Sequence, residues 1–433
     1  MAVADLIVRQ AQLRRRRELV DIVVEGGVIA AISPRSKDSA EVEVSADGRL
    51  VTEALADPHC HIDKSLFGEV THRYDYQEDT QVTDPSELKR RFGGHPRSGM
   101  GDMEFMHTNV VPLFETWAFK ERYTVEDVRA RILKVLRQGI GNGLLAMRMF
   151  CDVDTHAGLK GIEAAVQLRQ ELAGVMDLKV VAFPQEGIYT DPGTEQLMEE
   201  AMAIGTDVVG GIPSIEWDDR HIERHIDFCF DLAARHQADL HFLCDDSQDP
   251  YARALELVAA KKLESGFAGR VASSHNGALS YYPQDHATRV INLLAQAKVD
   301  ICANAHVNLL GAYTRVPELL AAGITVAAGQ DDVDNFYYPF GQPDPLEIAW
   351  VVAHAAHLAH PDGVEVAFDM VSQNAKRVMG LDHGGIRVGA QADLIVHEAA
   401  NVRDALRFRR PRPYVISHGR VVAEARVDRR LNV

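Results

Sequence analysis

The chain has 433 residues, 46% hydrophobic and 25% charged, and its 46 Lys and Arg against 63 Asp and Glu give a formal net charge of −17. That composition excludes disordered and fibrous classes, and the negative balance repels phosphate backbones and anionic headgroups, so the expected partner is a small-molecule substrate, with no nucleic acid and no membrane. Five scattered cysteines without a C-x-x-C pair, an acid at Asp5 where a secretory leader is basic, and no apolar run near the ~20 residues that span a bilayer fit a reducing cytoplasm. A homo-oligomer stays open.

Residues 4–52 alternate apolar and polar side chains at a period of two, in Leu6-Ile7-Val8, Val20 to Val24 and Val28 to Ile32, with Gly26-Gly27 as a turn. Short antiparallel strands are predicted there, and the same texture returns at 392–396 and 414–422. Between the two ends come eight apolar runs: 50–61 (LVTEALADPHCH), 144–151, 178–184 (LKVVAFP), 206–212, 239–244 (DLHFLC), 270–274, 299–304 and 324–329. Continuous apolar strands alternating with helical periodicity mean parallel strands covered on both faces, and eight of them predict an α/β fold, a (β/α)8 TIM barrel. The predicted boundaries are a barrel over 53–384 and one small discontinuous β-domain from 1–52 and 385–433. A long segment at 65–112, with Arg73, Arg90, Arg91 and Arg97, is predicted to be a lid or specificity element, a disordered excursion or a subunit contact being the alternatives. The basic clusters Arg14 to Arg17 and Arg407 to Arg412 read as solvated turns.

Catalytic residues of such barrels sit at the C-terminal ends of strands. His59 and His61 lie there two residues apart, so their imidazoles share one strand face with the spacing a divalent metal needs. His275 ends the sixth run. Asp331 and Asp332 end the eighth, where an aspartate can ligate a metal and accept a proton from the water that the metal polarises, or simply cap a helix.

Through ADPHCHIDK (56–64), VVAFPQEGI (180–188), DVVGGIP (207–213), RVASSH (270–275), GQDDV (329–333) and YYPFG (337–341), the chain resembles the amidohydrolase superfamily and, within it, the cytosine deaminase branch. The resemblance implies that His59, His61 and Asp331 are metal ligands, that His275 sits beside the water the metal holds, that Gln185 hydrogen-bonds the amide edge of a pyrimidine and that Asp332 contacts substrate. The implied metal is one divalent transition ion, zinc or iron, both of which suit imidazole and carboxylate.

Two strands depart from that pattern. On strand five the family carries H-C-D-E, a ligand and a proton-shuttling glutamate, whereas this chain has Leu243-Cys244-Asp245-Asp246. Leucine cannot ligate, and Asp246 is one methylene shorter than the glutamate it replaces. His241 lies on the same strand face but ~6.6 Å deeper. On strand two, Phe150 stands where the family has histidine. Three readings follow: a metal-dependent hydrolase or deaminase opening a C–N bond of a cyclic amidine, amide or aminated heterocycle; a metal-poor relative with changed chemistry; and a non-catalytic binding protein. The retained His59, His61, His275 and paired aspartates favour the first, with Asp331 as general base, His275 stabilising the oxyanion and Asp246 passing the proton to the leaving nitrogen. The altered pocket makes cytosine a poor substrate, and hydrolysis of an N-alkylaminotriazine is the runner-up reaction. Polymer base editing and nucleotide-driven steps are excluded, since neither H-x-E with P-C-x-x-C nor a phosphate loop is present.

Overall fold

The computed structural model describes residues 3–71, 111–304, 313–382, 384–428 and 430–431. Most of the predicted lid, with Arg73, Arg90, Arg91 and Arg97, lies outside the described residues. The strands fall into two eight-stranded sheets.

The first sheet takes β1 (Ala4–Leu13), β2 (Leu19–Glu25), β3 (Val28–Ser33), β4 (Ala40–Ser45) and β5 (Leu50–Glu53) from one chain end, and β14 (Leu394–Val396), β15 (Tyr414–Ser417) and β16 (Arg420–Glu424) from the other. The β2–β3 hairpin turns on Gly26 and Gly27, both at positive φ (58° and 78°), as a tight two-residue turn between twisted strands requires. The sheet is not wholly antiparallel, as the alternation suggested: β1 runs antiparallel to β2 but parallel to β4 and β5. Alternation reports which face is buried and carries no strand direction. The register of β1 shifts between Val8 and Ala11, around Gln10 at φ 53°, so its first half pairs with β4 and its last two residues with β5.

The second sheet is the barrel: β6 (Leu55–His61), β7 (Leu144–Asp152), β8 (Asp177–Phe183), β9 (Val208–Gly211), β10 (Asp239–Cys244), β11 (Val271–His275), β12 (Val299–Asn304) and β13 (Val326–Gly329), each parallel to the next. It closes through the backbone of Asp331, whose N–H donates to His59 O (2.9 Å) and whose carbonyl accepts from His61 N–H (2.7 Å). Gly329 permits that seam, because a Cβ there would lie 2.8 Å from His59 O.

The barrel interior is layered. Ala56, Ala146, Ala272 and Ala327 are small enough for the helix Gln373–Val378 to cover the N-terminal end with Val378 and Met379. Arg148 and His241 fill the middle, the guanidinium donating to His241 Nδ1 at 3.1 Å. Phe150, Val181, Phe183, Val208, Ile212 and Leu243 make an apolar layer toward the catalytic end.

The basic clusters are not simply solvated. Arg14 is buried against Glu53 (3.1 Å), Glu365 (2.8 Å) and Asp369 (2.6 Å), and Arg412 pairs with Asp344, so both clamp the first sheet and its flanking loops to helices of the barrel. All five cysteines are buried and unpaired. Among the described residues no helix is long and apolar enough to cross a membrane.

Candidate active site

The candidate site residues other than His241 fall at or near the C-terminal ends of strands. His61, Asp152 and His275 are the last residues of β6, β7 and β11; Gln185 and Asp246 lie two residues beyond β8 and β10; Asp331 and Asp332 follow β13. His275 and Asp331 both occupy left-handed backbone (φ 66° and 69°), a conformation that non-glycine residues hold at a cost and that clusters at functional sites.

Asp331 Oδ1 is the meeting point. It lies 3.0 Å from His59 Nε2, 3.5 Å from His275 Nε2 and 3.6 Å from His61 Nε2. His59, His275 and Asp331 each offer one ligand atom, all within 4.8 Å of one another. His61 lies outside that mutual reach although its Nε2 faces the same oxygen. These groups are buried, and Asp331 Oδ1 together with both ring nitrogens of His59 and His275 lacks a well-directed hydrogen bond. Buried polar atoms are otherwise almost always satisfied, so the donor set fits a cation better than it fits itself.

Charge follows this geometry. Burial alone pushes the Asp331 carboxyl up, but the imidazoles of His275 and His59 outweigh it and hold the group well below the usual carboxylate range. Burial likewise opposes charge on His275, yet Asp246 (Oδ2 3.2 Å from Nδ1) and Asp331 on the ring's other side raise its pKa well above the ordinary value. Asp332 is pushed up to about 7 by burial and the neighbouring Asp331 charge, and it accepts from Asn335 Nδ2. Asp245 turns away and caps the helix Ala254–Ser265, accepting from Ala254 N–H and Leu255 N–H.

Beside His61 lies a second polar group with no assigned role in the sequence. Lys64, on a 3-10 turn three residues after His61, donates to His61 Nδ1 (3.2 Å), Asp152 Oδ1 (2.9 Å) and Gln185 Oε1 (2.7 Å). Because an ammonium only donates, His61 Nδ1 accepts here, and turning its Nε2 to a metal requires Nδ1–H to face Asp152 Oδ1, now 3.9 Å away. Lys120, fully buried, backs this group against Asp152 (2.5 Å), Asp154 (2.7 Å) and Glu186 (3.4 Å). The i, i+3 spacing of His61 and Lys64 was a readable signal; the Lys120 cluster exists only through tertiary packing.

Phe150 and Leu243, the two apolar departures, belong to the apolar layer, and the Phe150 ring centroid lies 4.0 Å from that of His59. His241 remains in the layer below, because β10 and β11 pair in register without a bulge. Its ring centroid is 5.1 Å from that of His59.

A closed parallel barrel with histidines and aspartates gathered at its strand ends is an arrangement that can hold a metal ion and activate water. Residues 96–423 match the Amidohydrolase family, and the chain belongs to that family, in its cytosine deaminase-like branch; it is a hydrolase of C–N bonds other than peptide bonds. It is 26% identical to the N-isopropylammelide isopropyl amidohydrolase of Pseudomonas sp. (strain ADP), over 98% of each chain. It is 25% identical to the pterin deaminase of Rhizobium rhizogenes, over 95% of this chain and 89% of that one. Its fold superposes on 5-methylcytosine deaminase from Klebsiella pneumoniae, liganded with 5-fluorocytosine, at a TM-score of 0.85 and 27% identity, covering 98% of this chain and 99% of that one.

Proposed function

We propose that this chain is a metal-dependent hydrolase that removes ammonia or an amine from a ring carbon of a small nitrogen heterocycle other than cytosine. The observation that carries this reading is the convergence of buried, unsatisfied nitrogens of His59 and His275 on Asp331 Oδ1 at the barrel mouth. His59, His61 and Asp331 would hold one divalent transition ion, zinc or iron, with His275 close enough to join them. When bound, the ion supplies Lewis acidity that makes water nucleophilic near neutral pH.

The chain's own groups divide the remaining work. Asp331, ionised among imidazoles, accepts a proton at Oδ1. His275, between Asp246 and Asp331, donates from its ring N–H to negative charge developing on the substrate. Asp246, on the solvent side of His275, delivers the proton to the leaving nitrogen, while Gln185 and Asp332 fix the ring. Phe150, Phe183, Ile212 and Leu243 form an apolar flank beside these groups. That flank favours a second reading, in which the leaving group is an alkylamine, as the name of the Pseudomonas relative suggests for that protein.

The deciding experiment is a screen for ammonia and alkylamine release over cytosine, isocytosine, pterins, creatinine-like rings and N-alkylaminotriazines, with zinc and iron supplied separately. Release from a non-cytosine ring is expected. Cytosine as the best substrate, at a rate near the ~10 s⁻¹ typical of enzymes, overturns the substrate class, and no release with either metal overturns the reaction.

A further inference from the structure

Gln185 is the residue expected to read a substrate's edge, and an amide can read it in two opposite senses. Presenting Oε1, it asks for an N–H on the ligand; presenting Nε2, it asks for a carbonyl oxygen or an unprotonated ring nitrogen. The sense is fixed by what holds the other end of the amide. Here that is Lys64, buried to 1% exposure, with Nζ 2.7 Å from Oε1. An ammonium has three protons and no acceptor, so it cannot face Nε2, and a second of its protons is committed to Asp152 Oδ1. Lys64 is held in turn, because Asp152 is clamped from its other oxygen by the fully buried Lys120. The half-buried Gln185 therefore keeps Oε1 turned inward, and Nε2, which no described residue engages, is the group left for a ligand.

We propose that Lys64 is a positioning residue that fixes the sense of the Gln185 amide, so that this site selects rings bearing a hydrogen-bond acceptor on the edge facing Gln185 over rings bearing an N–H there. The inference rests on the reading of the barrel mouth as a heterocycle site and adds to it the polarity of one edge. Facing the wrong edge, a substrate sets donor against donor in a partly desolvated site. A mismatch of that kind is worth roughly 10- to 100-fold in binding.

Binding of two inert rings, followed by ligand-observed NMR titration, tests it without turnover. One is 1-methyl-2-pyridone, which offers an acceptor and no N–H; the other is aniline, which offers chiefly N–H. The unmodified protein should bind the pyridone at least 10-fold more tightly. Gln185→Glu, which puts a carboxylate oxygen where Nε2 was, should reverse the order. Lys64→Met, which frees the amide to turn, should narrow the preference to within about threefold. Equal binding, binding of neither ring, or a preference for aniline in the unmodified protein overturns the proposal, as does a pyridone preference that survives in Gln185→Glu. Should Lys64→Met fail to fold, the Gln185→Glu reversal still decides, since that position is half-buried. Edge preference with no substrate found in the release screen sinks the hydrolase reading alone; turnover without edge preference sinks this one.

Discussion

Asp331 does two unrelated jobs with two parts of itself. Its backbone closes the barrel and its carboxylate gathers three imidazoles, so a substitution must spare the first to report on the second. Its φ of 69° makes the choice of replacement matter, because asparagine tolerates left-handed backbone and alanine pays roughly 1 kcal/mol for it. Asp331→Asn should therefore unfold in urea close to the unmodified midpoint, while turnover falls by about 10²–10⁴ and bound metal drops with it. Ammonia release and elemental analysis on the same preparation measure both. Turnover retained with Asn at 331 would remove Asp331 from the mechanism.

At the scale of elements, the seam between β6 and β13 is the part of the barrel on which the site depends. A Cβ at Gly329 would meet His59 O at 2.8 Å and His59 Cβ at 2.9 Å, both on the strand that supplies the histidines. Gly329→Ala should push β13 outward, cost about 1–3 kcal/mol of stability and weaken metal retention, with urea unfolding and metal content as readouts. A different failure is expected of Lys120→Met. It leaves Asp154 and Glu186 facing Asp152 with only Lys64, on the other oxygen of Asp152, to offset the three carboxylates, for a loss of about 3–5 kcal/mol in the same assay. These two residues also mark what the sequence could tell. All eight barrel strands were readable because each is a continuous apolar run, and His59, His61, His275, Asp331 and Asp332 were readable because they end such runs. Lys120 was not, since nothing local distinguishes a helical lysine that finds three carboxylates from one that finds water. The parallel pairing of β4 and β5 with β1 escaped for a related reason: burial alternates identically whichever way a neighbour runs.

Across the whole molecule, the two chain ends are joined to each other and to the barrel through buried polar contacts, and one of them titrates. His397 lies after β14, its N–H bonded to Leu50 O and its Nε2 2.8 Å from Thr52 Oγ1, so it links the C-terminal strands to β5. Burial, and then the Arg412 and Arg14 charges, depress its pKa from 6.5 to about 3. The unfolded chain takes up a proton as pH falls below 6.5, whereas the folded chain stays neutral at this position until about 3. Stability contributed here is thus fully present above pH 6.5 and is lost as pH falls through that window, at about 1.4 kcal/mol per pH unit. His397→Gln keeps a hydrogen-bonding side chain but cannot titrate. Urea unfolding of both proteins at pH 7.5 and pH 5.5 isolates the term, since every other titrating group is common to the pair. The variant should gain about 1.4 kcal/mol relative to the unmodified chain on going to the lower pH. Parallel losses in the two proteins would mean that His397 is charged in the fold.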